Sequence, residues 1–582
     1  MLTTTEKEIL HTINREGLEQ HLRVIESYCR LSGTAEELKA FYYLQEELEK
    51  VCLRSELRFY SALLSNPGKV HFTVFSPKQT QEKLNANFSQ LIPAKAKSFS
   101  APTPPMGLRG SLCLIRSAEL EIDPLLYSMS KRAPIKDLEN CLVLSEVLNP
   151  IQVLALQDRG ALASIQYWDG QELQIHEGIC DPIWGMPEPE ELPYYPTIPV
   201  ISINGKDGGI LRKKLESGES ILGEITVSVE TGIQKIPILE AWIPSSTGDP
   251  KFLLIGSHLD SWYQGATDNA TGNALALILA QTLSKMEKKL PYGIRFAWWS
   301  GHSNGRYAGS SLYARERYRE LSEFCLAYMN IDMPGLRGAT EYSRLATGLE
   351  LIPLASEVVE DLTGQKGNYF RPPRGWDQSF QNIGITPYFV WSSTLADGHP
   401  DSTGNSFMSW WWHTEEDRLP YYSKAVLEKD TEVYLLAALR FLQHPYLVFK
   451  PLLLAEGIKK ELRKLNSQCP KDFTLLSSLE ILEELTTPYT QLEQQGKLTL
   501  KELLFILRSL NRLYYTRKPS YAQDWAIERG ALPGFAIASR LSGIQDSIKL
   551  EVLLHDLHCQ QNRIIQEMLP LLEYMKLKLL FP

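Results

Sequence analysis

The spacing of apolar and polar positions divides the chain into parts of different character. From Lys251 onward, short apolar runs alternate with segments of helical spacing. The runs that predict strands are Phe252–Ile255, Ile294–Trp299, Cys325–Ile331 and Ile385–Trp391. Helices are predicted at Ala270–Ser284 and Pro420–Leu442. Strands that alternate with helices in this way are typical of a mostly parallel, mixed α/β sheet sandwiched by helices.

The residues before Lys251 predict helices, a linker and short strands. Residues 1–51 have helical spacing and predict two helices, and residues 77–107, rich in Gln, Lys, Ser, Ala and Pro, predict a linker or an irregular excursion. Five later apolar runs predict strands: Ser111–Ile115, Cys141–Leu144, Ile151–Leu156, Ala163–Tyr167 and Ile198–Ile203. Two more strands, Glu224–Glu230 and Ile238–Ile243, are expected to return the chain to the main sheet.

The last part of the chain is dominated by Leu, Glu and Lys, and its apolar positions have helical spacing. The sequence therefore predicts four parts. Residues 1–107 begin the main domain and end in a linker, and residues 108–235 form a small inserted β-rich domain. Residues 236–445 complete the main α/β domain, and residues 446–582 form a separate all-helical domain.

Composition excludes some classes of function. The net charge of −9 and the pI of about 5.8 argue against non-specific binding to nucleic acid and to an anionic membrane surface. No stretch approaches 18 uncharged apolar residues, so no transmembrane helix is expected. The N-terminus has no pattern of a signal peptide. The eight cysteines form no CxxC pair and are expected to be reduced thiols. The cytoplasm is the expected location.

Histidine and aspartate residues follow several of the predicted strands. His258 and Asp268 follow the first strand, Asp332 follows the third, and His413 lies in a polar loop. Two imidazoles and two carboxylates are a normal ligand set for zinc. Asp260 is well placed to accept the other ring N–H of His258 and to fix its tautomer. Taken singly, each residue has an ordinary explanation as well, since a lone histidine is often packed and Asp268 is placed to cap a helix at Ala270.

Four motifs change this weighing: Gly256–Ser261 (GSHLDS), Gly265–Gly272 (GATDNATG), Asn330–Met333 (NIDM) and Trp412–Asp417 (WHTEED). Together they resemble the motifs of the co-catalytic di-zinc aminopeptidases, a family that also holds glutamate carboxypeptidase and the non-enzymatic transferrin receptor. The inserted region resembles a protease-associated domain. The resemblance implies a zinc aminopeptidase-like fold in which Asp268 bridges two metals. By the same resemblance, His258 and Asp332 complete one metal site, and His413 belongs to the other.

One motif departs from the family pattern. Where the family has Gly-Glu-Glu, with the general base first and a metal ligand second, this chain has Gly301-His302-Ser303. Three consequences stay open. His302 takes over as a ligand of the second metal, or it acts as the general base, or the site is catalytically degenerate. The sequence thus predicts His258, Asp268, His302, Asp332 and His413 as metal ligands, with Asp260 and His302 as catalytic residues.

The leading functional prediction is a zinc-dependent exopeptidase that hydrolyses short peptides, most simply as an aminopeptidase with one or two zinc ions. The alternative is a non-catalytic binding or scaffold protein on the same fold, suggested by the absence of both glutamates. Trp410–Trp412, next to His413, predict either an apolar wall of the substrate pocket or a buried cluster. By analogy, the C-terminal helical domain predicts a homodimer.

Overall fold

The computed structural model describes residues 1–77, 89–120, 123, 125–127, 136–403, 408–471 and 473–580. The described strands are β1 Arg54–Phe75, β2 Gln90–Ile92, β3 Ala94–Ala96, β4 Leu108–Leu114, β5 Cys141–Glu146, β6 Ala163–Tyr167, β7 Val200–Ile203, β8 Leu222–Ile243, β9 Phe252–His258, β10 Gly293–Trp299, β11 Cys325–Asn330, β12 Arg344–Ala346, β13 Asn368–Phe370 and β14 Thr386–Pro387.

The described α-helices surround these strands. They are Thr4–His11, Arg15–Glu26, Ala35–Glu49, Pro150–Asp158, Gly205–Glu216, Thr271–Ser284, Ala308–Glu316, Tyr318–Phe324, Ile352–Thr363, Lys424–Gln443, Pro445–Val448, Pro451–Asn466, Leu476–Gln494, Leu500–Tyr515 and Ser547–Leu580. None of the helices in the described ranges is long and apolar enough to span a membrane.

One mixed sheet organises the fold. In the described residues it has 12 strands, and its main path runs β14-β11-β9-β10-β8-β4-β5-β6-β7-β3. The neighbours β14, β11, β9 and β10 are parallel, and β8 is antiparallel to β10. Every residue of β9 and of β11 is buried, which fits a parallel sheet covered by helices on both faces. The expected mixed α/β sheet with flanking helices is therefore present.

Two long strands join the predicted domains. β1 and β8 have 22 residues each and pair antiparallel along almost their whole length. The prediction of two separate strands at Glu224–Glu230 and Ile238–Ile243 is therefore wrong, because β8 continues through both. β4 pairs with β8, so the strands of residues 108–235 extend the same sheet. That these residues form a protease-associated domain stays a prediction.

The middle region holds an element that the sequence pattern misassigned. Ile151–Leu156, predicted as a strand, lies in the helix Pro150–Asp158. Asn149 and Gln152 form a capping box, and Pro150 occupies the first turn, so local signals favoured a helix. The helix is buried on nearly all sides, which removed the polar positions that would have shown a helical period.

Other differences are local. The N-terminal residues form three helices instead of two, and the described part of segment 77–107 contains β2 and β3, while residues 78–88 lie outside the described residues. The strand predicted at Ile385–Trp391 is reduced to Thr386–Pro387, and the backbone leaves the extended conformation at Phe389, whose φ is +49°. Cys113 and Cys141 form a disulfide, so the expectation of reduced thiols is wrong there. Adjacent parallel strands bring their Cα atoms to 5.9 Å, which suits the bond.

The C-terminal helices pack onto the main domain. Apolar side chains of Leu500–Tyr515 and Ser547–Leu580 belong to the same buried cluster as those of β9 and Thr271–Ser284. In this packing, the buried Asn511 side chain donates to Glu350 Oε1 at 2.8 Å and to Thr386 Oγ1 at 3.1 Å. The helical part of the fold prediction is therefore correct, whereas a domain boundary at residue 446 stays a prediction.

Candidate metal centre

The strand register brings the candidate residues to one edge of the sheet. Trp299 on β10 lies opposite His258 on β9, and Asn330 on β11 lies opposite Gly256. Because the three strands are parallel, their carboxyl ends meet at this edge, where ligands collect in open α/β sheets. His258 ends β9, and the loops after β10 and β11 carry His302 and Asp332.

Asp268 is at the centre of the cluster. Its Oδ1 lies 3.1 Å from His258 Nε2, and its Oδ2 lies 3.1 Å from His413 Nε2. The residue is 7% exposed. Ala270 is the N-terminal cap residue of the helix Thr271–Ser284, and no described side chain caps this helix. Asp268 is therefore not a helix cap. One carboxylate therefore contacts two imidazoles through its two oxygens.

Asp332 adds a second carboxylate on the His258 side. Its Oδ1 lies 3.3 Å from His258 Nε2, and both side chains are buried. Burial opposes protonation of His258, but the carboxylates of Asp332 and Asp268 outweigh it and raise its pKa well above the ordinary value. Burial also acts to raise the pKa of Asp268, but the hydrogen bonds from His258 and His413 lower it well below its usual range.

The loop that carries Asp268 is fixed from both sides. The Asp417 carboxylate accepts hydrogen bonds from the backbone N–H groups of Thr267 and Asp268, both at 2.9 Å. The fully buried Arg30 donates to the carbonyl oxygens of Leu259 at 2.8 Å and Gly265 at 3.0 Å. These bonds satisfy the polar backbone of a buried loop and hold Asp268 in place.

Asp260 has a different partner from the expected one. The Nδ1 of His258 lies 3.0 Å from the backbone carbonyl oxygen of Asp260, whereas Asp260 Oδ1 is 3.9 Å away. The carboxylate instead accepts from Ser32 Oγ at 2.8 Å, from the His302 N–H at 3.2 Å and from the Ser303 N–H at 2.7 Å. Asp260 therefore orients His258 through its main chain and holds the loop of His302 through its side chain.

His302 lies on the His258 side of the cluster. Its ring stacks on that of His258, with centroids 3.7 Å apart and planes within 9°. Its Nδ1 lies 2.7 Å from Asp377 Oδ2. Burial opposes protonation of His302, but Asp377 outweighs it and raises the pKa. Potential ligand atoms of His258, His302 and Asp332 all lie within 4.8 Å of one another. His302 is thus grouped with the His258 and Asp332 donors, whereas the resemblance placed the missing ligand in the other site.

The donor set fits zinc. Imidazole nitrogens and carboxylate oxygens are its common ligands, and here they converge from separate loops at a buried edge of the sheet. The contacts of Asp268 with both His258 and His413 divide the donors into two groups that share one carboxylate. Second partners orient the imidazoles: the carbonyl oxygens of Asp260 and Glu177 bind Nδ1 of His258 and His413, at 3.0 Å and 3.1 Å.

A cavity of about 340 Å³ opens at the cluster. It is lined by Lys97, Val147, Leu148, Trp168, Glu177, Gly178, Ile179, Asp268, His302, Ser303, Arg306, Tyr307, Asp332, Met333, Trp376, Met408, Trp412 and His413. Of the three consecutive tryptophans, Trp412 lines the cavity, whereas Trp411 is fully buried and stacks on Tyr421. The Trp410–Trp412 segment therefore serves partly as a wall and partly as core.

The region of residues 108–235 contributes directly to this cavity. The Glu177 N–H donates to the His413 carbonyl oxygen at 2.8 Å, and His176 Nδ1 lies 2.6 Å from the Trp412 carbonyl oxygen. The Glu177 carboxylate accepts from Tyr263 at 2.5 Å. Segment 176–177 thus packs along the loop of His413 and closes one side of the cavity.

Sequence reasoning missed several of these side chains. Asp377 lies in a segment, Trp376–Phe380, that resembles the family, and this was the only signal for it. Glu177 lies in the region of residues 108–235 and Lys97 in the predicted linker, and no spacing connects either with the histidines. Their place depends on how β3 and the loop after β6 fold against the metal loops.

Comparison with known proteins gives a match to one family model and a similar fold. Residues 239–438 match the family model described as Peptidase family M28. The probable glutamate carboxypeptidase AMP1 of Arabidopsis thaliana is 20% identical over 370 residues, which cover 56% of this chain and 52% of that protein. The match thus spans about half the length of this curated relative.

Two solved structures are similar over most of the chain. The aminopeptidase from Aneurinibacillus sp. strain AM-1 has a TM-score of 0.54 at 20% identity and covers 75% of this chain and 96% of that one. BSAP, a zinc aminopeptidase from Bacillus subtilis, has a TM-score of 0.52 at 18% identity and covers 73% of this chain and 93% of that one. At these identities the likeness establishes the fold.

Proposed function

We propose that this chain, which belongs to peptidase family M28 through its residues 239–438, is a zinc-dependent exopeptidase. It would act on short peptides, most simply as an aminopeptidase. The observation that supports this proposal most directly is the position of Asp268, whose two carboxylate oxygens contact the Nε2 atoms of His258 and His413. A carboxylate placed between two groups of donors suits a pair of metal ions that share one ligand.

The residues have separate roles in this proposal. His258, Asp332 and His302 would hold one zinc ion, His413 would hold the other, and Asp268 would bind both. When bound, zinc polarises a carbonyl oxygen and lowers the pKa of water. Asp260 would hold the backbone of the His302 loop.

Two roles of His302 remain compatible with its contacts. As a ligand, it would present Nε2 while Asp377 binds Nδ1 and fixes the ring. As a general base, it would accept a proton at Nε2, with Asp377 stabilising the imidazolium. The grouping of His302 with His258 and Asp332 supports the first role.

The names of matched relatives favour a peptidase over a non-catalytic binding protein. A homodimer through residues 446–582 stays a prediction, which the mass in light scattering would test.

Hydrolysis of aminoacyl p-nitroanilides by the purified chain tests the function. We expect activity that a chelator abolishes and added zinc restores. A folded protein that binds zinc but cleaves none of a broad set of aminoacyl and dipeptide substrates would contradict the proposal.

A further inference from the structure

The cavity has a cationic side as well as a metal-binding side. Lys97 and Arg306 line the same cavity as Asp268, His302 and Asp332. Lys97 directly follows β3, and Arg306 lies in the loop between β10 and the helix Ala308–Glu316. Lys97 therefore comes from the strand at one end of the sheet's main path and Arg306 from the loop after an inner strand, and both line the candidate substrate site.

Lys97 is buried, and the part of the chain that the structure describes gives it no counter-ion. Only 6% of the residue is exposed. Its Nζ donates to the amide Oε1 of Gln166 at 2.6 Å, and this oxygen also accepts from the Leu148 N–H at 3.2 Å. Among the described residues, Lys97 takes part in no ion pair. An ammonium group has three N–H donors, and a buried one without an opposite charge is costly.

Arg306 is half-buried and, within the described ranges, also has a donor without a hydrogen-bond partner. Its Nη2 donates to the backbone carbonyl oxygen of Asp181 at 2.5 Å, and its Nε is buried without a hydrogen-bond partner in the described part of the chain. No ion pair of Arg306 is found there either. The charge of Arg306 is close enough to affect the pKa of Lys97. Burial lowers the pKa of Lys97 to about 8, and the like charge of Arg306 acts in the same direction.

The nearby acidic side chains that the structure describes do not form ion pairs with Lys97 or Arg306. Glu177 lines the cavity, but its carboxylate binds the Tyr263 hydroxyl at 2.5 Å and lies 3.6 Å from Lys95. Asp181 attracts Arg306, but its carboxylate accepts from the Ile183 N–H and it is not among the residues that line the cavity. Two cations therefore line the cavity, and both have N–H donors that are not used in hydrogen bonds to the described residues.

We propose that Lys97 and Arg306 form a subsite for a carboxylate group of the peptide substrate. That the ligand is a peptide rests on the proposed function. A carboxylate would accept from the free donors of both cations and supply the missing opposite charge. Trp168, Trp376 and Trp412 line the same cavity, so the charges would meet in surroundings of low dielectric, where their attraction is strong. The carboxylate comes from the C-terminus of a short peptide or from an acidic side chain.

Four dipeptides separate these two sources: Ala-Glu, Ala-Gln and the C-terminal amides of both. Ala-Glu and Ala-Gln differ only in the side-chain charge, and each amide removes the terminal charge alone. Binding is measured by calorimetry on the full chain after treatment with a chelator, so that no peptide is cleaved. KM and kcat are measured with zinc restored. We expect removal of the recognised carboxylate to weaken binding about tenfold or more, as for a charge-assisted hydrogen bond.

Variants test whether the preference for the free acid over the amide depends on the two cations. Lys97→Met keeps the length of the side chain and removes the charge, and it should abolish most of the difference between acid and amide. Lys97→Arg should retain the difference between acid and amide, and Arg306→Gln should reduce it. If one variant fails to fold, the other still provides a measurement. Lys206→Met, at an exposed position of the helix Gly205–Glu216, removes the same charge and should change nothing.

The outcomes distinguish this subsite from the proposed function. Binding that discriminates by charge in a chain that cleaves no peptide would uphold the subsite and sink the exopeptidase. Cleavage with equal KM for all four dipeptides would do the opposite. Equal affinity for acids and amides, a preference that is undiminished in Lys97→Met, or no binding of any of the four peptides by folded protein would each overturn the subsite.

Discussion

The two sides of the cavity differ in how their charges are balanced. On the metal side, the Asp268 carboxylate contacts His258 and His413, and Asp332 contacts His258 as well. On the other side, the hydrogen-bond acceptors that the described residues offer to the side chains of Lys97 and Arg306 are neutral oxygens. The first side is a set of ligand atoms oriented toward each other, whereas the second has two cations that form no ion pair with the described residues.

This difference separates two kinds of functional residue. Ligands for a cation must converge, so they interact with each other even without the ion. A subsite for part of a substrate has no such need, because the substrate brings the complementary group. The metal side therefore determines whether chemistry takes place, and the cationic side determines which peptides are favoured.

The largest effect should follow from Asp268→Asn. The amide keeps the shape but loses the charge that both groups of donors share, so we expect hydrolysis to fall to background and zinc content to fall with it. Zinc per chain is measured by atomic absorption, and folding by circular dichroism. Asp397→Asn, with a side chain that is 95% exposed, makes the same charge change and should be silent. Normal zinc content and activity in the Asp268 variant would remove the basis for a shared ligand.

His302→Gln should have the next largest effect and separates the open roles of this residue. If His302 is a ligand, zinc content should fall together with the rate. If it is the general base, zinc content should be unchanged and kcat should fall about 10²–10⁴-fold. Asp377→Asn is the companion variant, because it removes the negative charge beside Nδ1 without touching Nε2. Unaltered rate and zinc content in both variants would leave His302 without a role on the metal side.

The metal side was predictable because its residues lie in short motifs at strand ends. His258, Asp268 and Asp332 follow apolar runs, and parallel strands that end at one edge bring such residues together. His413 lies in a polar loop and was predicted from its motif. The contact between His302 and Asp377 was not predictable, because it joins two loops without regular spacing.

The cationic side was not predictable because it depends on packing across the sheet. Lys97 lies at the end of a segment whose composition predicted a linker, yet β3 pairs with β7 and brings it to the cavity. The helix Pro150–Asp158 was misassigned for a related reason, since burial on nearly all sides removed the polar positions from its pattern. Apolar periodicity shows which face of an element is buried, but not which distant charges meet.

Asp260→Asn should have a smaller effect on the metal side. The carboxylate accepts from Ser32 and from the N–H groups of His302 and Ser303, and an amide would lose at least one of these bonds. Loss of such an outer partner typically costs 10–100-fold in metal affinity or activity. Zinc affinity, measured by competition with a chelating dye, should fall within about this range. A loss as complete as that of Asp268→Asn would instead make Asp260 a direct ligand.

The smallest effect concerns pH and belongs to the cationic side. The folded chain lowers the pKa of Lys97 from 10.5 to about 8, mainly by burial. The charged form therefore dominates below pH 8 and is lost above it. The preference for the acid over the amide dipeptide should be full at pH 7 and decrease as the pH rises through about 8. Because a guanidinium does not lose its proton in this range, part of the preference should remain at pH 9.5.

The side chains around Lys97 allow this pH dependence to be assigned to Lys97. Gln166 is neutral, burial raises the pKa of the Cys180 thiol far above this range, and burial raises the pKa of Asp181 only to about 6. None of these groups titrates near pH 8. Lys97→Arg should therefore keep the preference constant across the same range, because a guanidinium does not lose its proton there. A decrease of equal size in that variant would assign the titration to another group.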